Sequence, residues 1–381
     1  MTHKRTIVDL IGNTPLLYLR HVSQATGCDI YGKAEFLNPG GSVKDRTALG
    51  IVRDAEARGA LRPGGVIVEG TAGNTGIGLT VVANALGYES VIVMPQSASQ
   101  QKIDQLEMLG AELILVPACP YSSPGHYIHV AERVAEGRSH QEAHGAVWAR
   151  QFDNPANARV HFDTTGAEIW TQTDGKVDAF VCAVGTGGTL AGVAAALRER
   201  NPAVRIGIAD PHGSALYSYF STGELAAHGE SIAEGVGVSF VPGNLQGVAV
   251  DFAFQVDDDT ALPYVYDLLK HEGVSVGPSS GINIAGAVAM ARELGPGHTI
   301  VTILCDSGSR YLDQLYNAEF LWRRKLPVPD WIVCGAGTGG TSATIGRFVR
   351  YHRHHTHVCV ADPEASVFHR HWRDRSVESV E

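Results

Sequence analysis

Lys44 lies in the glycine-led turn Gly40-Gly41-Ser42-Val43-Lys44-Asp45-Arg46. A lysine amine held in its neutral form is a nucleophile toward carbonyl carbon. Three further segments complement it. In Gly185-Thr186-Gly187-Gly188-Thr189, glycines after a strand-like run let backbone N–H groups converge, and the helix that follows adds its positive end, which suits a phosphate. The hydroxyls of Thr186 and Thr189 can donate as well. In Thr71-Ala72-Gly73-Asn74-Thr75-Gly76, a strand becomes a helix. The N–H groups of Thr71, Ala72 and Asn74 suit a carboxylate there, and the Asn74 amide suits a ring hydroxyl. In Gly277-Pro278-Ser279-Ser280-Gly281, Ser279 offers a neutral hydroxyl to a pyridine nitrogen. Such a partner does not keep the nitrogen protonated as an aspartate does, and this favours β-elimination and replacement. Taken singly, the segments read as a surface lysine, a tight turn, an N-cap and a capped helix start. Together they supply a partner for each group of pyridoxal phosphate.

The elements that must position these residues are legible as alternating runs. Val66-Ile67-Val68-Glu69, Ser90-Val91-Ile92-Val93-Met94-Pro95 and Ala111-Glu112-Leu113-Ile114-Leu115-Val116-Pro117 read as strands, with helices at 77–86 and 99–109. The pattern returns with strands at 179–184, 205–211 and 299–304 and helices after 189 and at 286–294. Strands separated by single helices predict parallel, doubly wound sheets. The expected class is α/β with two doubly wound lobes and the site in the cleft between them. The N-terminal lobe is expected at 40–155, and the C-terminal lobe at 1–39 together with 156–330. The polar stretch 120–145 is expected to hold a helix with loops near the lobe junction.

The 381 residues exceed what one core usually holds, which agrees with two lobes. A net charge of −10 argues against a nucleic-acid binder. Cys28, Cys119, Cys182, Cys305, Cys334 and Cys359 form no C-x-x-C pair and fit a reducing compartment. No signal-peptide pattern and no run of membrane-spanning length is read, so a cytoplasmic protein is expected.

These motifs, in this order, resemble the cysteine synthases (O-acetylserine sulfhydrylases) and their cystathionine β-synthase relatives, the fold-type-II pyridoxal-phosphate enzymes. The resemblance spans roughly 6–331. It also takes in Ile11-Gly12-Asn13-Thr14-Pro15-Leu16, Gln151-Phe152-Asp153-Asn154-Pro155 and Glu234-Gly235-Val236-Gly237. It implies that Lys44 forms the internal aldimine and moves the α-proton, and that Asn74 meets the ring hydroxyl. It implies that Gly185, Thr186, Gly187, Gly188 and Thr189 hold the phosphate and that Ser279 meets the ring nitrogen. Thr71, Ala72, Asn74 and Gln151 would bind the substrate carboxylate. The implied reaction converts O-acetyl-L-serine and sulfide into L-cysteine through an aminoacrylate. L-Cysteine desulfhydrase and cystathionine β-synthase-like activities are the alternatives, and a non-catalytic regulator is a further one that an intact Lys44 argues against. The family is usually a homodimer and commonly docks the C-terminal tail of serine acetyltransferase. It usually carries serine where this chain has Ala72, so one donor to the substrate carboxylate is missing.

The tail at 331–381 contains a second glycine loop, Gly337-Thr338-Gly339-Gly340-Thr341. Gly185 aligns with Gly337 and Asp210-Pro211 with Asp362-Pro363 at one constant spacing. The stretch 331–368 resembles the glycine-loop segment of bacterial L-cysteine desulfhydrases. The lysine, asparagine and serine segments have no second copy, so the tail is expected to be accessory. His352, His354, His355 and His357 lie among arginines and are expected to be solvated, with no metal site.

Overall fold

A computed structural model describes residues 5–329, 331–335 and 356–361. The chain divides into two compact units, Met1–Arg310 and Tyr311–Glu381.

The first unit holds two sheets. The strands in chain order are β1 Leu16–Tyr18, β2 Asp29–Ala34, β3 Val66–Gly70, β4 Glu89–Pro95, β5 Glu112–Val116, β6 Ala146–Trp148, β7 Ala179–Cys182, β8 Arg205–Pro211, β9 Phe252–Val256 and β10 Thr299–Leu304. The smaller sheet has the order β5-β4-β3-β6 and is wholly parallel. The larger has the order β1-β2-β10-β7-β8-β9, parallel except for β1 at its edge.

Both faces of each sheet are covered, which is why the strands read as unbroken apolar runs. On one face of the smaller sheet, Ile67 packs with Ile51, Leu79 and Val82 from the helices Lys44–Ala57 and Asn74–Leu86. On the other, Val66, Val68, Val91 and Val93 pack with Ala131 and Ala135 from Tyr127–Ser139, the helix expected within 120–145. In the larger sheet Phe180, Ile206 and Val301 pack against Leu190, Val193 and Leu197 from the helix Gly188–Arg200. A fully buried side chain of this kind contributes roughly 1.5–3 kcal/mol.

The sequence boundaries hold for β8 and β10. The helix expected at 286–294 begins earlier, spanning Pro278–Leu294. Pro278 is its first residue, a position where a missing N–H costs nothing. Ser279 therefore sits in the first helical turn rather than in a loop before the helix.

In the second unit, two short helices, Leu312–Leu315 and Ala318–Arg323, precede a parallel pair, β11 Trp331–Gly335 and β12 His357–Ala361. Trp331 pairs with His357, as Ala179 pairs with Arg205 in β7 and β8. The separation along the chain is the same in both pairs, so the strand register repeats with the sequence. The second glycine loop, Asp362-Pro363, His352, His354 and His355 lie outside the described residues.

Candidate active site

Four helices begin around one cavity of about 450 Å³ in the first unit: Lys44–Ala57, Asn74–Leu86, Gly188–Arg200 and Pro278–Leu294. Each helix start leaves backbone N–H groups without intrahelical partners and carries the positive end of the helix dipole. Four such ends around one space favour a ligand with more than one anionic group.

Lys44 is the first residue of its helix, and its N–H donates to Ser42 Oγ at 3.2 Å. Its amine is enclosed at the cavity wall. Burial lowers its pKa, while Cys305, Asp306 and Cys182 pull in the opposite direction. Burial also pushes the Cys305 thiol up to about 11 and raises Cys182, so both stay uncharged near neutral pH. The neutral amine is thus favoured, which is the form that attacks a carbonyl.

Thr71, Ala72, Asn74 and Gln151 line the same cavity. One sequence expectation needs correction. The Thr71 N–H is not available to a carboxylate, because it donates to Val93 O at 2.9 Å and continues the pairing of β3 with β4. Thr71 has its hydroxyl to offer, and this already accepts from Gly73 N–H at 3.1 Å. The Gln151 amide is held on both sides. Its Oε1 accepts from Thr75 Oγ1 at 2.6 Å, and its Nε2 donates to Glu69 Oε1 at 3.2 Å. Glu69 is buried, and burial pushes its carboxyl up to about 8 despite hydrogen bonds from Gln151 and the backbone. A protonated acid at this place puts no negative charge beside Gln151.

Gly185, Thr186, Gly187 and Thr189 line the cavity, and Gly188 does not. Gly188 packs on the buried Asn157, where a Cβ would lie 2.2 Å from Oδ1. A Cβ on Gly185 would lie 2.1 Å from Gly235 O. Asn157 donates to Thr186 Oγ1 at 2.9 Å and accepts from Thr47 Oγ1 at 2.9 Å. His161 meets Thr189 Oγ1 at 3.2 Å. Burial holds His161 well below its usual pKa, with Arg46 and Lys44 adding to the effect, so it is a neutral imidazole. This layer ties the glycine loop to the lysine helix. Because Thr186 accepts from Asn157, its own hydroxyl proton remains for an anion in the loop.

Ser279 is buried at the cavity wall and hydrogen-bonds the Cys305 thiol. Its partner is therefore uncharged.

Residues 7–306 match the family model described as pyridoxal-phosphate dependent enzyme. The chain belongs to this family. As a pyridoxal-phosphate enzyme it is 51% identical over 321 residues to cysteine synthase 1 of Neurospora crassa, a match that covers 83% of this chain and 84% of the relative. It is 41% identical over 307 residues to a cysteine synthase of Staphylococcus aureus, covering 80% and 94%. Among solved structures it is similar to O-ureido-L-serine synthase, with a TM-score of 0.75 and 37% identity over 83% of this chain and 96% of that one. It is also similar to an O-acetylserine dependent cystathionine beta-synthase from Helicobacter pylori, with a TM-score of 0.72 and 32% identity over 82% and 99%.

The donor set fits the family's cofactor. A neutral-favoured lysine amine, a side-chain-free cradle at a helix start and a hydroxyl with an uncharged partner share one cavity. Sequence reading missed Glu69, Asn157, His161, Asp306 and Arg310, and also the ion pair of Lys102 with Glu234 at the cavity wall. One signal was available. Glu69 ends an apolar run whose strand is buried on both faces, and an acid in such a strand needs a partner.

Proposed function

We propose that the protein is a cysteine synthase that replaces the acetate of O-acetyl-L-serine with sulfide at Cβ to give L-cysteine. The observation that carries this reading is the extent of the relatives so named, which match over 80–83% of the chain, with Lys44, Asn74, the loop at 185–189 and Ser279 all inside the stretch of the family match. The uncharged partner of Ser279 supports it chemically.

When bound, the cofactor supplies the electron sink that lets a proton leave Cα and acetate leave Cβ. The chain's own residues do the rest. Lys44 would hold the cofactor through its aldehyde carbon, and once the substrate amine takes over that bond the freed lysine amine would take the proton from substrate Cα and return it at the end. The glycine loop at 185–189, with Thr186 and Thr189, holds the phosphate. Ser279 meets the ring nitrogen, and Asn74 the ring hydroxyl. The Thr71 hydroxyl, the N–H groups of Ala72 and Asn74, and the Gln151 amide bind the substrate carboxylate. The working unit is a cytoplasmic homodimer able to dock serine acetyltransferase, and sizing the purified protein alone and with that enzyme tests this part. Among the described residues no helix is long and apolar enough to cross a membrane.

The test is product analysis on the full chain loaded with pyridoxal phosphate. O-Acetyl-L-serine with sulfide is expected to yield cysteine and acetate in equal amounts. Acetate release only with homocysteine would replace this reading with a cystathionine β-synthase. Sulfide release from cysteine, with no use of O-acetyl-L-serine, would replace it with a desulfhydrase.

Ala72 gives a sharper prediction. Ala72→Ser adds a hydroxyl at the helix start that receives the carboxylate, and a hydrogen bond to a charged group is worth about 1.5–3 kcal/mol before the cost of ordering the side chain. The Michaelis constant for O-acetyl-L-serine is expected to fall by roughly 3- to 10-fold with kcat within about 2-fold. Steady-state kinetics checks this, and an unchanged Michaelis constant would remove Ala72 from the carboxylate site.

A further inference from the structure

Asn74 sits between a cation and an anion that do not themselves line the cavity. Its Nδ2 donates to Asp306 Oδ2 at 2.7 Å. Its Oδ1 accepts from the Arg310 guanidinium, which also donates to the Gly40 carbonyl. Arg310 thereby joins the turn that leads into Lys44 to the helix start at Asn74. Asp306 is anchored in the same place, since its segment bridges Ser42 and its carbonyl accepts from Gly277 N–H at 3.1 Å. The lysine turn, the asparagine and the start of the Ser279 helix thus meet at one point.

An amide side chain has two N–H donors on one atom and an acceptor on the other, and its orientation follows from its partners. A guanidinium can only donate, and an ionised carboxylate can only accept. Asn74 is therefore held one way round. The orientation leaves its second N–H for a group in the cavity. Rotated by half a turn, the amide would set its oxygen against Asp306 and its N–H groups against Arg310, and it would offer the cavity an acceptor. A ring oxygen carrying negative charge is stabilised by a donor and repelled by an acceptor.

We propose that Arg310 and Asp306 are positioning residues that fix the Asn74 amide as a hydrogen-bond donor to the ring oxygen of the cofactor, and that Arg310 couples this donor to the Lys44 turn through Gly40. The inference rests on the assignment of Asn74 to that oxygen.

The experiment is a double-mutant cycle in the full chain, read by the dissociation constant of pyridoxal phosphate for the stripped protein and by the position and pH titration of the bound cofactor's visible band. Arg310→Met keeps the side-chain stem and removes both donors. It is expected to weaken cofactor binding by about 10-fold, in line with loss of a charge-assisted hydrogen bond, and to move the band or its titration midpoint. Asn74→Ala alone should do the same. In the Asn74→Ala background, Arg310→Met should change the dissociation constant by less than about 2-fold, because interacting residues are not additive. Arg310→Lys, which restores one donor, should recover the wild-type band. Equal effects of Arg310→Met in both backgrounds would overturn the coupling, since a purely structural role persists without Asn74. An unchanged band and affinity in Asn74→Ala would overturn the assignment of Asn74, and the proposal with it. If Arg310→Met does not fold, the cycle is run with Arg310→Gln, a shorter and uncharged side chain that cannot give Asn74 a charge-assisted donor. Equal effects of Arg310→Gln with and without Asn74 would overturn the coupling in the same way.

Discussion

Lys44→Ala is expected to lower turnover of O-acetyl-L-serine by roughly 10²–10⁴-fold or more, the range lost when a positioned general base is removed. The expectation rests on two uses of one amine. In the proposed reaction Lys44, an amine at the cavity wall, bonds the cofactor's aldehyde and moves a proton at substrate Cα. Its location serves both. At the first position of a helix, an ammonium faces the positive end of the helix dipole. Burial disfavours the charged form further, and the nearby thiols of Cys305 and Cys182 are kept neutral by their own burial. The fold should survive the change, since alanine is a strong helix former and Lys44 has no ion-pair role comparable with that of Arg46. The loop at 185–189, the proposed phosphate site, is untouched, so the variant should still take up pyridoxal phosphate, now without a covalent link. Borohydride treatment should therefore fix cofactor to the wild type and none to the variant. A small primary amine added to the solution should restore part of the turnover. Turnover above about a tenth of wild type, with cofactor still fixed by borohydride, would move the role to another lysine.

That Lys44, Asn74, Gly185 and Ser279 line one cavity was legible because they lie in short contiguous motifs. Lys44, Asn74 and Ser279 each lie in the first turn of a helix that follows glycine, proline or small residues, and the loop that begins at Gly185 leads into the helix Gly188–Arg200. The residues that hold them were not legible, because their meaning depends on chain segments far apart. Asn74 is bound by Asp306 and Arg310, Gln151 by Glu69, and Thr186 by Asn157. No local pattern marks such pairs. Asn157 and His161 were one helical turn apart, a spacing that places both on one face, yet that face is recognisable as functional only once the loop at 185–189 is seen against it. The fold was legible for the same reason in reverse. Buried parallel strands announce themselves as apolar runs, whereas β1 and β2, with sequences LLY and DIYGKA, lack such a run and were found only by their pairing with β10 and with each other.

The residue next but one to Lys44 carries the largest expected effect on stability. Arg46 is about 1% exposed and donates to Glu35 Oε2 at 2.8 Å and Oε1 at 2.9 Å, and to Glu168 Oε1 at 2.6 Å and Oε2 at 2.7 Å. Lys33 adds a second cation, 2.6 Å from Glu168 Oε2. Two cations thus balance two carboxylates, and Thr14 and Asn38 satisfy further lone pairs on Glu35. Such a cluster adds little stability over an apolar replacement of the whole, but removing one member strands a buried charge at a cost of about 3–5 kcal/mol. Arg46→Ala should lose about that much in urea unfolding at pH 8.

The pH dependence separates this account from simple loss of packing. In the wild type, burial raises the pKa of Glu168, but Arg46 and Lys33 outweigh it and hold the carboxyl at about 2. A depressed folded-state pKa contributes stability that is present above the unfolded value, about 4.3, and lost as pH falls through the folded value. The wild type should therefore weaken between about pH 4.5 and 2. In Arg46→Ala the Glu168 carboxyl loses the guanidinium that does most to hold its pKa down, so it is protonated at milder acidity and protonation relieves the defect. The gap between variant and wild type should narrow by pH 5 relative to pH 8. A gap that stays constant across that range would mean the lost energy is packing. A gap below about 1 kcal/mol at pH 8 would mean that Glu35 and Glu168 do not depend on Arg46.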